Sequence, residues 1–254
     1  MKRLLCLLFI ALFLLSSFST IVNAENAAYN WYIKRGADGI PTIPSEQSFI
    51  EKHECFYIDK NVDDKKVLYL TFDAGYENGN VERILNTLKE KEVTAAFFLL
   101  DHIILKNTDI VKRMADEGHL VCNHTKNHKD LSGLGAEEIV DNLTDLERIY
   151  EQKCGRTLAK YFRFPEGRYS ESALRAVESI GYKSIFWSMA YADWDNAKQP
   201  NAEKAIEKLM SLTHNGAVIL LHPTSSTNAE IMPIIIDKWR EMGYTFGSLD
   251  ELCR

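Results

Sequence analysis

Short apolar runs and stretches of helical spacing alternate along most of the chain. Seven runs have the length and composition of β-strands, at residues 67–72, 94–100, 119–122, 161–164, 184–187, 217–221 and 244–246. Between them, apolar residues recur three and four positions apart, which places their side chains on one face of a helix. Four such faces contain Val81, Ile84, Leu85 and Leu88; Ile139, Leu143, Leu146, Ile149 and Tyr150; Leu174, Val177 and Ile180; and residues 231–239.

Strands that alternate with helices predict a parallel sheet with right-handed crossovers. The positions of the polar residues favour a barrel over an open sheet. Nearly every residue that could carry chemistry comes directly after a predicted strand, and five different strands are involved. In a barrel all the carboxyl ends converge on one mouth, whereas in an open sheet they converge only near a switch point. We therefore predict an α/β fold, a distorted, seven-stranded (β/α) barrel.

The first 24 residues have the order of a secretory signal peptide. Lys2 and Arg3 precede an apolar run at residues 4–15, and small residues at 22–24 form the exit. An uncleaved membrane anchor is the alternative. We expect an exported protein that works outside the cytoplasm.

Residues 25–64 contain helix and strand breakers, among them Gly36, Gly39, Pro41 and Pro44. We predict that this segment is irregular and wraps the domain. The barrel domain itself is expected at residues 65–254, where the alternating pattern begins. A single domain of this length buries a sizeable core, and we expect a monomer.

Composition limits the classes of partner. Removal of residues 1–24 would leave 28 basic against 36 acidic residues, and this acidic balance argues against nucleic acid or an anionic membrane. Four cysteines would remain: Cys55, Cys122, Cys154 and Cys253. They lack the close spacing of a zinc site and are too few to be the framework of the fold. One disulfide stays open, although we expect none.

A carboxylate and a buried arginine are the first candidate pair. Asp73 directly follows an apolar strand and precedes Gly75 and Gly79, so it could act as a general base at the rim of the sheet. The alternative is a helix N-cap. Arg163 lies inside an apolar strand, where burial is unfavourable unless the charge is paired, and Asp73 is its natural partner. An edge-strand arginine that reaches water is the alternative for Arg163.

Three further groups follow other strands. His124 and His128 are spaced so that both rings could reach one divalent ion if the turn between them is helical, although two solvated surface histidines are the usual explanation. Asp193 adjoins Trp194, a surface on which a sugar could stack, with a core tryptophan as the alternative. His222 ends a buried strand, and Asp193 could orient it and hold it charged as a general acid. A structural histidine is the alternative there.

Taken together, these groups resemble the polysaccharide deacetylase (NodB-homology) family, the family-four carbohydrate esterases. The resemblance covers residues 65–252, and five family motifs can be placed at residues 71–75, 124–128, 163–167, 193–194 and 221–223. Within the family, residues 71–79 (TFDAGYENG) and 123–128 (NHTKNH) look most like the delta-lactam-biosynthetic de-N-acetylases, which act on muramic acid in the peptidoglycan of endospore formers.

The resemblance implies a role for each position. Asp73 corresponds to the catalytic base, Arg163 to the residue that orients it, and His222 to the acid that protonates the leaving amine. Asp193 corresponds to the tuning partner of that acid. His124 and His128 correspond to two metal ligands. Trp194 corresponds to the wall of the acetyl pocket, and Pro165 and Glu166 are further substrate-binding positions.

Two departures from the family pattern affect these expectations. Most relatives carry a second aspartate after the base that completes the metal site, and here that position is Ala74. We therefore expect a weakly held divalent ion, with zinc, manganese, cobalt and magnesium all open. Glu166 stands where many relatives have a bulky aromatic residue whose main-chain N–H helps to bind the oxyanion. The main-chain donor survives that replacement.

The resemblance predicts an amide hydrolase that removes N-acetyl groups from peptidoglycan strands, on N-acetylmuramic acid as a step toward muramic delta-lactam in the spore cortex. It implies that the exported protein works in the cell wall or in the space around a forespore. Arg168 could bind the lactyl carboxylate of muramic acid, or it could be a surface residue. Two alternatives stay open: a deacetylase of N-acetylglucosamine in peptidoglycan or chitooligosaccharides, and a glycan-binding module that has lost activity with Ala74.

Overall fold

The computed structural model describes residues 26–36, 39–62 and 65–254, a range that excludes the predicted signal peptide. Its strands are β1 (Tyr29–Asn30), β2 (Lys34–Arg35), β3 (Pro41–Thr42), β4 (Cys55–Phe56), β5 (Val67–Ala74), β6 (Ala96–Leu99), β7 (Leu120–Asn123), β8 (Tyr161–Phe162), β9 (Arg168–Tyr169), β10 (Lys183–Ile185), β11 (Ala217–Leu221) and β12 (Thr245–Phe246). Its α-helices are α1 (Asn80–Glu90), α2 (Asp101–Lys106), α3 (Thr108–Asp116), α4 (Ala136–Cys154), α5 (Glu171–Ser179), α6 (Ala202–Leu212), α7 (Ser226–Glu241) and α8 (Leu249–Leu252). Two 3₁₀ helices lie at Ser45–Lys52 and Pro165–Gly167.

One parallel sheet forms the centre of the molecule. Its strands lie in the order β11-β5-β6-β7-β8-β10-β4, and β12 pairs with the start of β5. The chain after β10 then returns to β11, since the main-chain N–H groups of Ser188 and Met189 donate to the Val218 carbonyl at 3.0 and 3.2 Å. This contact curls the sheet toward closure and confirms the predicted distorted barrel.

All seven predicted apolar runs contain a strand of this sheet. The segment at residues 25–64 is predicted to be irregular, but its described residues contain short regular elements: β1, β2, β3, the 3₁₀ helix Ser45–Lys52 and β4. Of these, β4 joins the central sheet in parallel with β10. Two consecutive residues carry no readable period, so the pattern could not reveal the strand. The same segment supplies β1, which pairs antiparallel with β9 beside the mouth of the barrel.

The helices cover the outside of the sheet with the predicted faces. On α1 the four residues spaced three and four apart, Val81, Ile84, Leu85 and Leu88, are fully buried. Helix α4 ends at Gly155, whose φ of +68° is left-handed and suits a residue without Cβ. Among the described residues, no helix has the length and apolar character needed to cross a membrane.

The amino-terminal end of the barrel is covered by α8. Leu249 and Leu252 pack with Tyr69 and Val218 in one buried cluster. The Tyr161 hydroxyl donates to Asp250 at 2.6 Å, which ties the helix to the start of β8. This end is thereby filled, which leaves the carboxyl ends of the strands as the open mouth.

Candidate active site

A cavity of about 900 Å³ opens at the carboxyl ends of the strands. Its lining residues follow β5, β6, β7, β8, β10 and β11, as expected of a barrel. The cavity brings together most of the predicted site residues, which are separated by up to about 150 positions in sequence. They are Asp73, His124, His128, Glu166, Trp194 and His222.

Asp73 is held by a fully buried arginine. Arg163 Nη1 donates to Asp73 Oδ1 at 2.8 Å, so the predicted pair is confirmed. The other two nitrogens of Arg163 also donate, with Nη2 at 2.8 Å from Thr71 Oγ1 and Nε at 2.9 Å from the Ile185 carbonyl. The guanidinium lies 4.1 Å from the centre of the Phe98 ring. These contacts compensate the burial of the charge and fix its position.

The surroundings of Asp73 favour its ionised form. Burial works to raise the pKa of this carboxyl group, but the charge of Arg163, with smaller electrostatic contributions from the His124 and His222 rings, outweighs burial, and the pKa lies below its ordinary value. Asp73 is therefore a carboxylate at neutral pH and is able to accept a proton.

Sequence reasoning missed Thr71 as part of this group. It lies two residues before Asp73 on β5, and side chains at this spacing point to the same side of a strand. Its hydroxyl donates to the Ile219 carbonyl at 2.6 Å and accepts from Arg163. A hydroxyl residue in an otherwise apolar run was the available signal.

The loop after β7 carries the two histidines. It is not the helical turn that the spacing required, because Thr125 and His128 have left-handed φ values of 73° and 59°. The His124 and His128 rings nevertheless meet, with centroids 5.0 Å apart. Asn123 supports the turn, since its Oδ1 accepts from the Thr125 main-chain N–H at 2.9 Å and its Nδ2 donates to the Leu143 carbonyl at 3.0 Å.

His222, which directly follows β11, is held by a buried carboxylate. Its Nδ1 lies 2.8 Å from Asp193 Oδ1, and its main-chain N–H donates to Asp193 Oδ2 at 2.8 Å. Burial works to lower the pKa of His222, but the hydrogen bond and charge of Asp193, together with Asp73, raise it above the ordinary imidazole value. The geometry therefore favours the protonated ring, with Nδ1–H directed to Asp193.

The predicted substrate-binding residues are not all placed in the cavity. Trp194 lines it and is 65% exposed, which leaves its ring free to stack. Glu166 lines it with a left-handed φ of 56°. Pro165 is buried next to Glu166 in the chain, whereas the Arg168 side chain lies outside the lining and its Nε donates to Asp130 at 2.8 Å.

Several aromatic residues of the wall were not predicted. Trp187, Tyr191 and Tyr76 all line the cavity. Trp187 was assigned to an apolar strand, and in the structure β10 ends earlier, at Ile185. Tyr76 lies within the segment that follows Asp73, and Tyr191 lies two residues before Asp193, so proximity to the charged motifs was the signal available.

Known proteins are similar to this chain in sequence and in architecture. The polysaccharide deacetylase family profile matches residues 60–185. The chain is 37% identical to the peptidoglycan-N-acetylmuramic acid deacetylase PdaA of Bacillus subtilis, over 89% of this chain and 86% of that protein. The crystal structure of B. subtilis PdaA, a family 4 carbohydrate esterase, superposes with a TM-score of 0.84 at 36% identity, over 89% of this chain and 97% of that one.

The chain belongs to the polysaccharide deacetylase family. It is therefore a hydrolase that acts on amide bonds. A more distant member is the peptidoglycan-N-acetylglucosamine deacetylase PgdA of Listeria monocytogenes, 30% identical over 74% of this chain but only 39% of that longer protein. Deacetylases of this family are generally metal-dependent, so the two histidines need a test against a metal ion.

The state of His124 fits a metal ligand. Its Nδ1 lies 2.9 Å from the Arg163 carbonyl, which only accepts, so Nδ1 carries the hydrogen and Nε2 presents a lone pair. Burial lowers the pKa of His124 to about 4, which leaves the ring neutral at pH 7. Nε2 faces Asp73 Oδ2 at 3.5 Å, and two lone-pair atoms at this distance are stabilised by a cation or a water proton near them.

The donor set is that of a two-histidine site. Ala74 ends β5 beside Asp73 and offers a methyl group instead of a carboxylate. In the part of the chain that the structure describes, no group of three or more His, Cys, Asp and Glu residues is arranged to hold a metal ion. His124 and His128 thus fit a divalent ion that completes its coordination with water or substrate.

Proposed function

We propose that this protein removes the N-acetyl group from N-acetylmuramic acid residues of peptidoglycan, a step toward muramic delta-lactam in the spore cortex. One observation carries the reaction: a carboxylate held ionised by Arg163 and an imidazole held charged by Asp193 face the same cavity. The likeness to the B. subtilis muramic acid deacetylase over 89% of the chain supports the sugar.

Hydrolysis of an amide needs an activated water, a stabilised oxyanion and a protonated leaving amine. Asp73 supplies the first, because its ionised carboxylate accepts a proton from the attacking water. Arg163 is the positioning residue for this step, since its contacts to Thr71 and to the Ile185 carbonyl hold the guanidinium against Oδ1.

His222 supplies the proton for the amine. Its Nδ1–H is bound to Asp193, so Nε2–H is the proton that faces the cavity and passes to the nitrogen as the C–N bond breaks. The main-chain N–H of Glu166 is assigned to the oxyanion. A divalent ion held by His124 and His128 supplies Lewis-acid polarisation of the acetyl carbonyl when it is bound.

The rim of the cavity is suited to a sugar. Trp194 and Tyr76 are 65% and 43% exposed and present aromatic surface to the apolar face of a pyranose ring. The position of Arg168 does not support a contact with the lactyl carboxylate, because this side chain is paired with Asp130 outside the cavity lining. Export of the chain by residues 1–24 would bring it to this substrate and remains part of the proposal.

The proposal is tested by mass analysis of peptidoglycan treated with residues 25–254 and a panel of divalent ions. We expect loss of acetyl groups, with a mass decrease of about 42 Da per site, on muramic acid and not on glucosamine. Asp73→Asn and His222→Ala should fold and release at least about 10²-fold less acetate, the usual contribution of a positioned acid or base.

Each other result contradicts part of the proposal. Loss of acetyl groups from glucosamine would mean that the substrate sugar is N-acetylglucosamine, the sugar in the name of the Listeria relative. The proposed mechanism would be retained. Binding of glycan strands without acetate release under every ion would favour a glycan-binding module and overturn the reaction. Full activity in Asp73→Asn or His222→Ala would overturn the assignment of roles.

A further inference from the structure

The carboxylate behind His222 has a partner that the family motifs do not include. Asp193 is 1% exposed and accepts three hydrogen bonds. Two come from His222, through Nδ1 and the main-chain N–H. The third comes from Asn228 Nδ2, which lies 2.6 Å from Asp193 Oδ2.

Asn228 binds both members of the Asp193–His222 pair. It is fully buried in the first turn of α7, and its Nδ2 donates a second hydrogen bond to the His222 carbonyl at 3.0 Å. Both amide hydrogens are thus used on the two residues whose relative position matters. The main-chain N–H of Asn228 is in turn fixed by the cap residue of the helix, Ser225, whose Oγ accepts it at 3.0 Å.

The amide oxygen of Asn228 points the opposite way, toward the cavity wall. The hydroxyl of Tyr191 donates to Asn228 Oδ1 at 2.5 Å. The reverse orientation of the amide would place its oxygen against a carboxylate and a carbonyl, so the orientation follows from the partners. A continuous chain of hydrogen bonds therefore runs from Tyr191 in the wall through Asn228 and Asp193 to His222.

We propose that Asn228 is a positioning residue for His222: its amide holds the Asp193 carboxylate in its two-point contact with that histidine, and Tyr191 orients the amide. The inference rests on the proposed function, in which His222 protonates the leaving amine. A carboxylate that loses this donor can rotate about its side-chain bonds, because only His222 then restrains it.

Asn228→Ala tests the proposal by two readouts: the NMR titration of the His222 ring, and kcat and KM for deacetylation. The charged groups that act on this ring are Asp193, Asp73 and Arg163, and only the first is restrained by Asn228. We expect the pKa of His222 to fall toward the ordinary imidazole value and kcat to drop roughly 10-fold to 100-fold, by analogy with residues that orient metal-ligating histidines. KM should change by less than about threefold, because binding residues are untouched.

Two further variants keep the test decisive. Tyr191→Phe removes one hydroxyl and should move the pKa of His222 in the same direction by a smaller amount. Asn201→Ala is the matched control, because Asn201 caps α6 through the Lys204 N–H at 3.1 Å, outside the lining of the cavity. It should lower the melting temperature and leave the His222 titration unchanged.

The outcomes separate this inference from the proposed function. An unchanged His222 titration and an unchanged kcat in folded Asn228→Ala would overturn the positioning role. The same shift of the His222 titration in Asn201→Ala would also overturn it, since the cause would then be general loss of stability. If the wild-type protein releases no acetate but its His222 titration depends on Asn228, the proposed function fails and the structural link stands.

Discussion

At the scale of single residues, two buried carboxylates differ in the type of cation that they bind. Asp73 faces a permanent cation, Arg163, and stays an acceptor. Asp193 faces a titratable ring, His222, and keeps that ring a donor. In the proposed mechanism the same type of side chain therefore supports base chemistry at Asp73 and acid chemistry at His222, at the ends of the neighbouring strands β5 and β11, because its environment differs.

Replacement of Asp193 by asparagine should change the pH dependence of catalysis. The pKa of His222 is raised in the folded protein, so the protonated, active ring is present below that pKa and is lost as the pH rises through it. Without the charge of Asp193 this pKa falls, and the alkaline limb of the kcat profile moves to lower pH. We expect kcat to fall about 10²-fold at neutral pH.

The control for this variant is Asp195→Asn, the same change two residues away. Asp195 Oδ1 accepts a hydrogen bond from the Ala197 main-chain N–H at 2.9 Å, whereas the carboxylate bound to His222 is Asp193. Its kcat profile should keep the wild-type alkaline limb. An alkaline limb that stays in place in Asp193→Asn would contradict the tuning role.

Replacement of Arg163 by methionine should destabilise the fold strongly. The change leaves Asp73 buried without its cation, and breaking a buried pair in this way costs about 3–5 kcal/mol. Arg168→Met removes a cation from an exposed pair with Asp130 and should cost no more than about 1 kcal/mol. Urea unfolding at pH 7 measures the free energy of unfolding of both variants. Equal losses would contradict a larger contribution from the buried Arg163–Asp73 pair.

At the scale of elements, short irregular pieces position the site more than the long helices do. The 3₁₀ turn Pro165–Gly167 carries Glu166 into the cavity, and β1 braces it from behind. The Trp31 main-chain N–H donates to the Gly167 carbonyl at 2.8 Å, and Trp31 Nε1 donates to the Trp187 carbonyl at 2.9 Å. The segment before the barrel thereby supports its mouth.

Gly167→Ala should disturb this brace. A Cβ at this position would lie 2.8 Å from both Trp187 Cη2 and Trp31 Cβ, and φ is +65°. Gly155 has nearly the same φ, +68°, but has open space around its Cβ position. Gly155→Ala should therefore show only the strain of a left-handed residue, about 1–2 kcal/mol, and Gly167→Ala a further 1–3 kcal/mol or so from overpacking.

Chemical denaturation of the two alanine variants side by side measures this difference. Deacetylation should also fall in Gly167→Ala, since Glu166 moves with the turn, and should be retained in Gly155→Ala, at the end of α4 far from the cavity lining. Equal free energies of unfolding for the two would contradict the brace.

At the scale of the whole molecule, the part of the chain that the structure describes packs without a disulfide bond. Cys55, Cys122, Cys154 and Cys253 are all free thiols in the structure. Cys122 and Cys253 share one buried cluster with α8, and burial raises the pKa of both thiols, so they are poorly reactive.

The melting temperature of the chain lacking residues 1–24 should therefore not depend on reductant. Thiol titration of the folded chain should be slow, and after unfolding four thiols should react, one for each cysteine of the described residues. A fall in melting temperature with reductant, or fewer reactive thiols in the unfolded chain, would reveal a disulfide.

The sequence by itself determined the repeating strand and helix pattern, the barrel and most of the charged site residues. It did so because side-chain period reports which face is buried, and because the carboxyl ends of parallel strands must meet. The Asp73–Arg163 contact was predictable for a related reason: a buried arginine requires a carboxylate.

Only the tertiary structure decided the rest. Asn228 carries no local signal, because its partners Asp193 and Tyr191 lie 35 and 37 positions away and the contacts depend on how α7 packs against the loop after β10. Strand β4 and the left-handed turn between His124 and His128 depend likewise on neighbours distant in sequence. Arg168, next to the motif in sequence, is directed away from the cavity by its pairing with Asp130, since proximity along a chain does not fix the direction of a side chain.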